Sequence, residues 1–268
     1  MTTATTGSTG ATAAAGPASR VLALATAEVR LLLRNRTAAI SSLFLPIAFG
    51  VFFAFTFEAG VAAGPGVWAT IVALQLVVTF TMGVYVTITQ TVVARRQTRV
   101  LKRMRTSSLS DAGLLVATTG PAVAIAVVHL VLYAVIDTVL GAPFPADVVP
   151  LVLAVLGGLA VCVTAGFATT IVTPTPERAQ ITTLPLFFLM FGAAFVVPVL
   201  PVDSWWQALV LVPGAPIGLL TQLAFTGGAW APGLPGLPAA LPGIVSLVGW
   251  TAAFTVLSQR RFRWDPRV

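Results

Sequence analysis

Residues 95–111 read RRQTRVLKRMRTSSLSD, from Arg95 to Asp111, and hold six of the fifteen basic residues of a 268-residue chain that is 57% hydrophobic. The runs on either side carry almost no charge. Only 9% of all residues are charged, whereas a soluble domain has about 25%, and mean hydropathy is +0.96. Lipid, not water, must solvate most of this surface, so the chain reads as a membrane protein. The formal charge of +7 does not indicate nucleic acid. A nucleic-acid module spreads Lys and Arg over one folded face among stacking aromatics, and here they gather between apolar runs.

Crossing a hydrocarbon layer about 30 Å thick takes about 20 apolar residues. Six stretches of that length, charged only at Asp137, read as spans: Thr37 to Phe57, Val67 to Val93, Ala112 to Leu140, Pro150 to Val172, Ala179 to Leu200 and Leu237 to Ser258. With six crossings, four basic residues at 20–36, six at 95–105, one at Arg178 and four at 260–267 all fall on one side. Basic residues near helix ends stay in the cytoplasm, so both termini are expected there. The opposite loops keep Glu58, Asp147 and Asp203, with Trp68, Trp205 and Trp206 where an interfacial aromatic belt would sit.

Three further segments complete the expected architecture. Residues 1–18 are small and polar without periodicity and read as a disordered cytoplasmic tail. Residues 19–36 place Val21, Leu24, Ala25, Leu31 and Leu32 at helical spacing beside Arg20, Glu28, Arg30, Arg34 and Arg36, the pattern of a helix lying in the membrane interface. Residues 203–236 are apolar but split by Pro213, Gly214, Ala215 and Pro216 into pieces too short to cross. Two half-helices that dip into the outer leaflet and return fit that break. The expected fold is all-α and polytopic, with six spans and a re-entrant hairpin between the fifth and sixth. A single transmembrane domain would fill residues 19–268.

Within the spans, Gln75, Thr79, Gly83, Thr87 and Thr91 recur every four residues. That face suits either a wall of a translocation path or close helix packing. The fifth span gathers Phe187, Phe188, Met190, Phe191 and Phe195, which suits hydrophobic cargo as well as ordinary lipid contact. Gly158, Cys162, Gly166 and Thr170 in the fourth span read as a packing face, and Cys162, the one cysteine, excludes an intrachain disulfide. On the third span His129, Tyr133 and Asp137 share a face. A carboxylate in a membrane helix marks a functional site by default, and a structural polar network is the other reading.

RVLKRMRTSSLS, from Arg99 to Ser110, resembles a basic segment of the permease subunits of ABC-2 type exporters, which runs approximately G-T-L-K-R-L-R-T-T-P-L-S. Leu101, Lys102, Arg103, Arg105, Thr106, Leu109 and Ser110 stand at matching places. Ser107 and Ser108 replace the Thr-Pro, and Gln97 stands where an acidic residue is common. The resemblance extends from Arg20 to Arg267 and includes an elbow helix, matched by residues 19–36, and a re-entrant pair, matched by 203–236. It implies an exporter of the actinobacterial antibiotic or multidrug type.

It further implies that residues 95–110 form the coupling segment that docks on a separate ATPase subunit. Arg99, Val100, Leu101, Lys102, Arg103, Met104 and Arg105 would carry the contact, apolar ridge and cations together. A juxtamembrane basic cluster that binds anionic lipid is the plain physical reading of the same residues. Ser110 would cap the third span. A phosphate-cradling loop needs G-x-x-x-x-G-K-[ST], and the sole lysine, Lys102, follows no glycine. No cofactor is therefore expected on this chain. ATP and Mg would be bound by the partner, and six spans imply a second permease copy or a paralogue.

Two other classes compete. A proton- or ion-coupled secondary transporter would use Asp137 and His129 as its coupling pair. An intramembrane metalloprotease would need a motif such as HExxH, which one histidine cannot supply.

Overall fold

Lipid offers backbone amides no partner, so each apolar run must satisfy its own, and a helix does so internally. A computed structural model describes Thr26 and residues 43–58, 64–98, 111–196, 205–227 and 238–261. Among the described residues every regular element is helical. In order these are α1 Leu45–Glu58, α2 Pro65–Gln97, α3 Asp111–Val139, α4 Val148–Thr169, α5 Pro176–Val196, α6 Ala215–Thr226 and α7 Leu241–Arg261. A 3₁₀ segment, Trp205–Leu211, precedes α6. Among the described residues five helices, α2, α3, α4, α5 and α7, are long and apolar enough to cross a membrane. The first expected span, 37–57, is described from residue 43, and the 14-residue α1 covers it from Leu45 and ends one residue beyond it. The tail, the interface helix at 19–36 and segment 99–110 lie outside the described residues.

The centre of the bundle is α2. Pro65 starts it behind Gly64, since a proline at the first helical position gives up no hydrogen bond. Its 33 residues reach about 50 Å at α-helical rise, well beyond the hydrocarbon layer. Its apolar window is 78% buried within the chain, against 17–33% for the other four. Those four keep residues such as Val131, Leu156, Ile181 and Val248 exposed, as lipid-facing helices must. Midway, Thr79–Val86 winds as a π-helix before α-helical geometry resumes. Trp68, expected in an interfacial belt, is instead fully buried against Ala54, Ala69 and Phe225. It sits in the first turn of α2, where α1 and α6 cover it.

Small residues let the neighbours close in. A side chain at Gly158 of α4 would meet Ile217 of α6 and Phe80 of α2 at 2.8 and 2.9 Å, and one at Gly166 would meet Ile88 at 2.9 Å. Cys162 between them is buried, so this four-residue repeat is a packing face. Asp147 starts α4 by accepting the Val149 amide on its carboxylate at 2.9 Å, and its own amide donates to Ala224 O at 3.0 Å. Because α6 has Ile217 beside Gly158 and Ala224 beside Asp147, it runs from the middle of α4 back to its first turn. Gly214, at φ 99°, makes the entry to α6, pressed against the main chain of Met190.

Candidate functional site

Three side chains of α3 reach across to α1 and α2. His129 Nε2 donates to Leu43 O at 3.0 Å, since a carbonyl can only accept. One turn on, the Tyr133 hydroxyl donates to Pro46 O. A further turn on, Asp137 accepts from Gln75 Nε2 at 2.9 Å, and the same amide reaches Gly50 O at 3.4 Å. All three residues are buried. The result is a ladder whose rungs are spaced by the helical turn. It joins α3 to the backbone of α1 and of Leu43 just before it, with Gln75 of α2 bridging the last rung. Asp137 and His129 bond to different partners rather than to each other.

The four-residue stripe of α2 belongs to the same interface. Gln75 serves Asp137, Thr79 is fully buried, and Gly83 lies against the His129 ring at 3.6 Å from Nδ1 to a built Cβ. Within the single chain this face is closed by α1 and α3. Gln75, Thr79 and Gly83 are therefore buried against α1 and α3 in the single chain, and Gln75 also lines a cavity between α2, α3 and α4.

The aromatic residues of α5 are placed differently. Phe187 and Phe188 meet edge to face at 5.1 Å, Phe187 and Phe191 stack at 6.1 Å, and Phe191 approaches Phe53 of α1 at 5.6 Å. Phe52 and Phe49 continue the row through Phe53. Phe188 is 62% exposed, so the row forms part of an outer apolar surface of α1 and α5.

At the basic end of α2, Arg96 is buried and donates to Thr170 O at 2.9 Å and to Thr173 O. These carbonyls close the end of α4, where a cation is favoured by the helix dipole. Arg95 donates to Thr118 Oγ1 of α3 at 2.9 Å, and Thr173 bonds Thr182 of α5 at 2.8 Å. Two adjacent arginines thus tie α2 to α3 and α4 where segment 99–110 departs. Counting charge could not reveal this, because a buried arginine and a solvated one look alike in sequence. The coupling residues Arg99, Val100, Leu101, Lys102, Arg103, Met104 and Arg105 lie outside the described residues.

Residues 67–259 match the family described as ABC-2 family transporter protein. The chain belongs to the ABC-2 transporter family. The match runs from the first turn of α2 to the last turns of α7, so this ABC-2 transporter carries both the polar ladder on α3 and the arginine clamp inside its family region. It is a multi-pass membrane protein and the transport component of an ABC transporter, a family that works with an ATPase subunit. Among curated proteins none matches the chain.

Proposed function

We propose that this ABC-2 transporter is the permease subunit of an ATP-driven exporter. It moves hydrophobic cargo of the drug or antibiotic class from the cytoplasm or inner leaflet outward. A separate nucleotide-binding subunit binds ATP and Mg and supplies the energy, while this chain performs no hydrolysis itself. Both termini and segment 95–110 face the cytoplasm, with six spans, an elbow helix at 19–36 and a re-entrant hairpin within 203–236.

The observation that carries this reading is the arginine clamp. Segment 99–110 leaves α2 just after Arg95 and Arg96, which bond α3 and the end of α4. A push on that segment therefore reaches three helices at once instead of bending one. Lys102, Arg103 and Arg105 give the segment the charge to meet acidic groups on an ATPase. The aromatic row with Phe187, Phe188 and Phe191 is an exposed surface of low chemical discrimination, suited to line a path against a second permease copy or paralogue.

Reversing the charges of Lys102, Arg103 and Arg105 together tests the reading. The expected outcome is loss of ATPase co-purification and of efflux, with membrane insertion unchanged. Efflux that continues with the ATPase unbound would place coupling elsewhere.

A further inference from the structure

The far end of the polar ladder opens into a cavity of about 470 Å³ between α2, α3 and α4. That is the size range of pockets that hold drug-sized molecules. Its walls are apolar, with Leu76, Leu130, Val155 and Phe225 among them, and the polar pair Gln75 and Asp137 stands at one side. Phe144 and Val148 at its rim are exposed, so the space communicates with the surface of the chain.

We propose that this cavity binds a lipophilic organic cation, with its apolar body against the walls and its positive charge against the Asp137 carboxylate. The charge balance points there. Gln75 gives Asp137 a hydrogen bond but no compensating charge, and among the described residues no basic side chain pairs with it. Arg95 meets α3 at Thr118, nineteen residues before Asp137 and therefore about 28 Å away along the helix. The other described arginines stand in the end turns of α2, α5 and α7.

A carboxylate facing an apolar space is costly when a neutral chain fills that space and displaces water. An acyl tail would therefore fill the cavity at the expense of the acid, whereas a cation of the same bulk would satisfy it. An anion is repelled outright. The proposal concerns binding alone and stands independently of the exporter reading, because it needs neither ATP nor the ATPase.

The test uses the full chain in nanodiscs of zwitterionic lipid, with empty nanodiscs as the baseline. Tetraphenylphosphonium and tetraphenylborate serve as probes of one shape and opposite charge. Tetraphenylphosphonium should bind specifically and tetraphenylborate should not. Asp137→Asn should weaken the cation by about tenfold or more, and Asp137→Glu should retain it. Ala134→Trp fills the cavity from its exposed rim without touching the Asp137–Gln75 bond, and should abolish binding while leaving the melting temperature unchanged. Equal binding of both ions, or cation binding unaffected by Asp137→Asn and Ala134→Trp, overturns the proposal and makes the cavity a lipid niche. Loss of efflux in the charge-reversed coupling variant with cation binding intact separates the two readings.

Discussion

Arg96 of α2 and Thr170 at the end of α4, 74 residues apart in the chain, are joined by a guanidinium-to-carbonyl hydrogen bond of 2.9 Å in a buried setting. A second bond from the same guanidinium to Thr173 O makes it a fork. Removing it leaves the carbonyls of Thr170, at the end of α4, and of Thr173, in the loop beyond, without their charged donor. Arg96→Ala should lower stability by about 2–4 kcal/mol, read as a fall in melting temperature in detergent. Arg96→Lys should recover only part, because an ammonium cannot reproduce the planar fork. Identical melting of Arg96→Ala and the parent would remove the clamp from the account.

Gly214 and Gly227 both have positive φ, at 99° and 64°, yet their surroundings differ. An added Cβ at Gly214 would run into the Met190 main chain, and one at Gly227 would meet nothing within 4 Å. Gly227→Ala should cost about 1 kcal/mol, the ordinary penalty of a left-handed helix end. Gly214→Ala should cost clearly more, beyond the backbone strain of about 1–3 kcal/mol, since main chain cannot step aside. Comparing the two melting temperatures checks the order.

Tyr133 illustrates how packing and hydrogen bonding compare inside a membrane. Interhelical hydrogen bonds there average about 0.6 kcal/mol, so Tyr133→Phe should be mild. Gly50→Ala should be worse, at about 1–3 kcal/mol, because its methyl would fall within the Tyr133 ring and force it aside. Should Tyr133→Phe prove the more damaging of the two, the bond to Pro46 O matters beyond its strength in other membrane bundles.

Cys162 is the chain's one cysteine and is buried, which makes sidedness easy to measure. In a Cys162→Ala background, single cysteines replacing Ser107 and Arg267 should react with an impermeant maleimide in inverted vesicles only. Those replacing Glu58 and Asp203 should react in intact cells. Labelling of Ser107→Cys and Arg267→Cys on opposite faces would remove the even number of crossings and the orientation with it.

Hydropathy made the positions of α2, α3, α4, α5 and α7 legible, because a helix must be apolar whether it faces lipid, as the last four do, or is buried among its neighbours, as α2 is. The face shared by His129, Tyr133 and Asp137 was legible from spacing alone. Their partners were not. Two of the three bonds go to main-chain carbonyls, Leu43 O just before α1 and Pro46 O in its first turn, and a carbonyl has no residue identity to read. Arg96 was hidden for a related reason: it was counted among charges that mark the cytoplasmic side, and no pattern tells a helix-capping arginine from its solvated neighbours. Trp68 was misread because an aromatic residue at a helix start signals the interface only when lipid, rather than α1 and α6, surrounds it.

A four-residue repeat drifts around an α-helix, where every step overshoots a full turn by about 40° and eight residues swing the azimuth by about 80°. Gln75 and Gly83 are eight residues apart, yet one bonds Asp137 and the other abuts His129 on the same neighbouring helix. The wider coil at Thr79–Val86 takes more residues per revolution and turns the overshoot back. The bulge acts as a phase corrector, keeping both ends of the stripe in register with α3. An inserted or deleted residue there would rotate every contact beyond it, including the arginines at the far end.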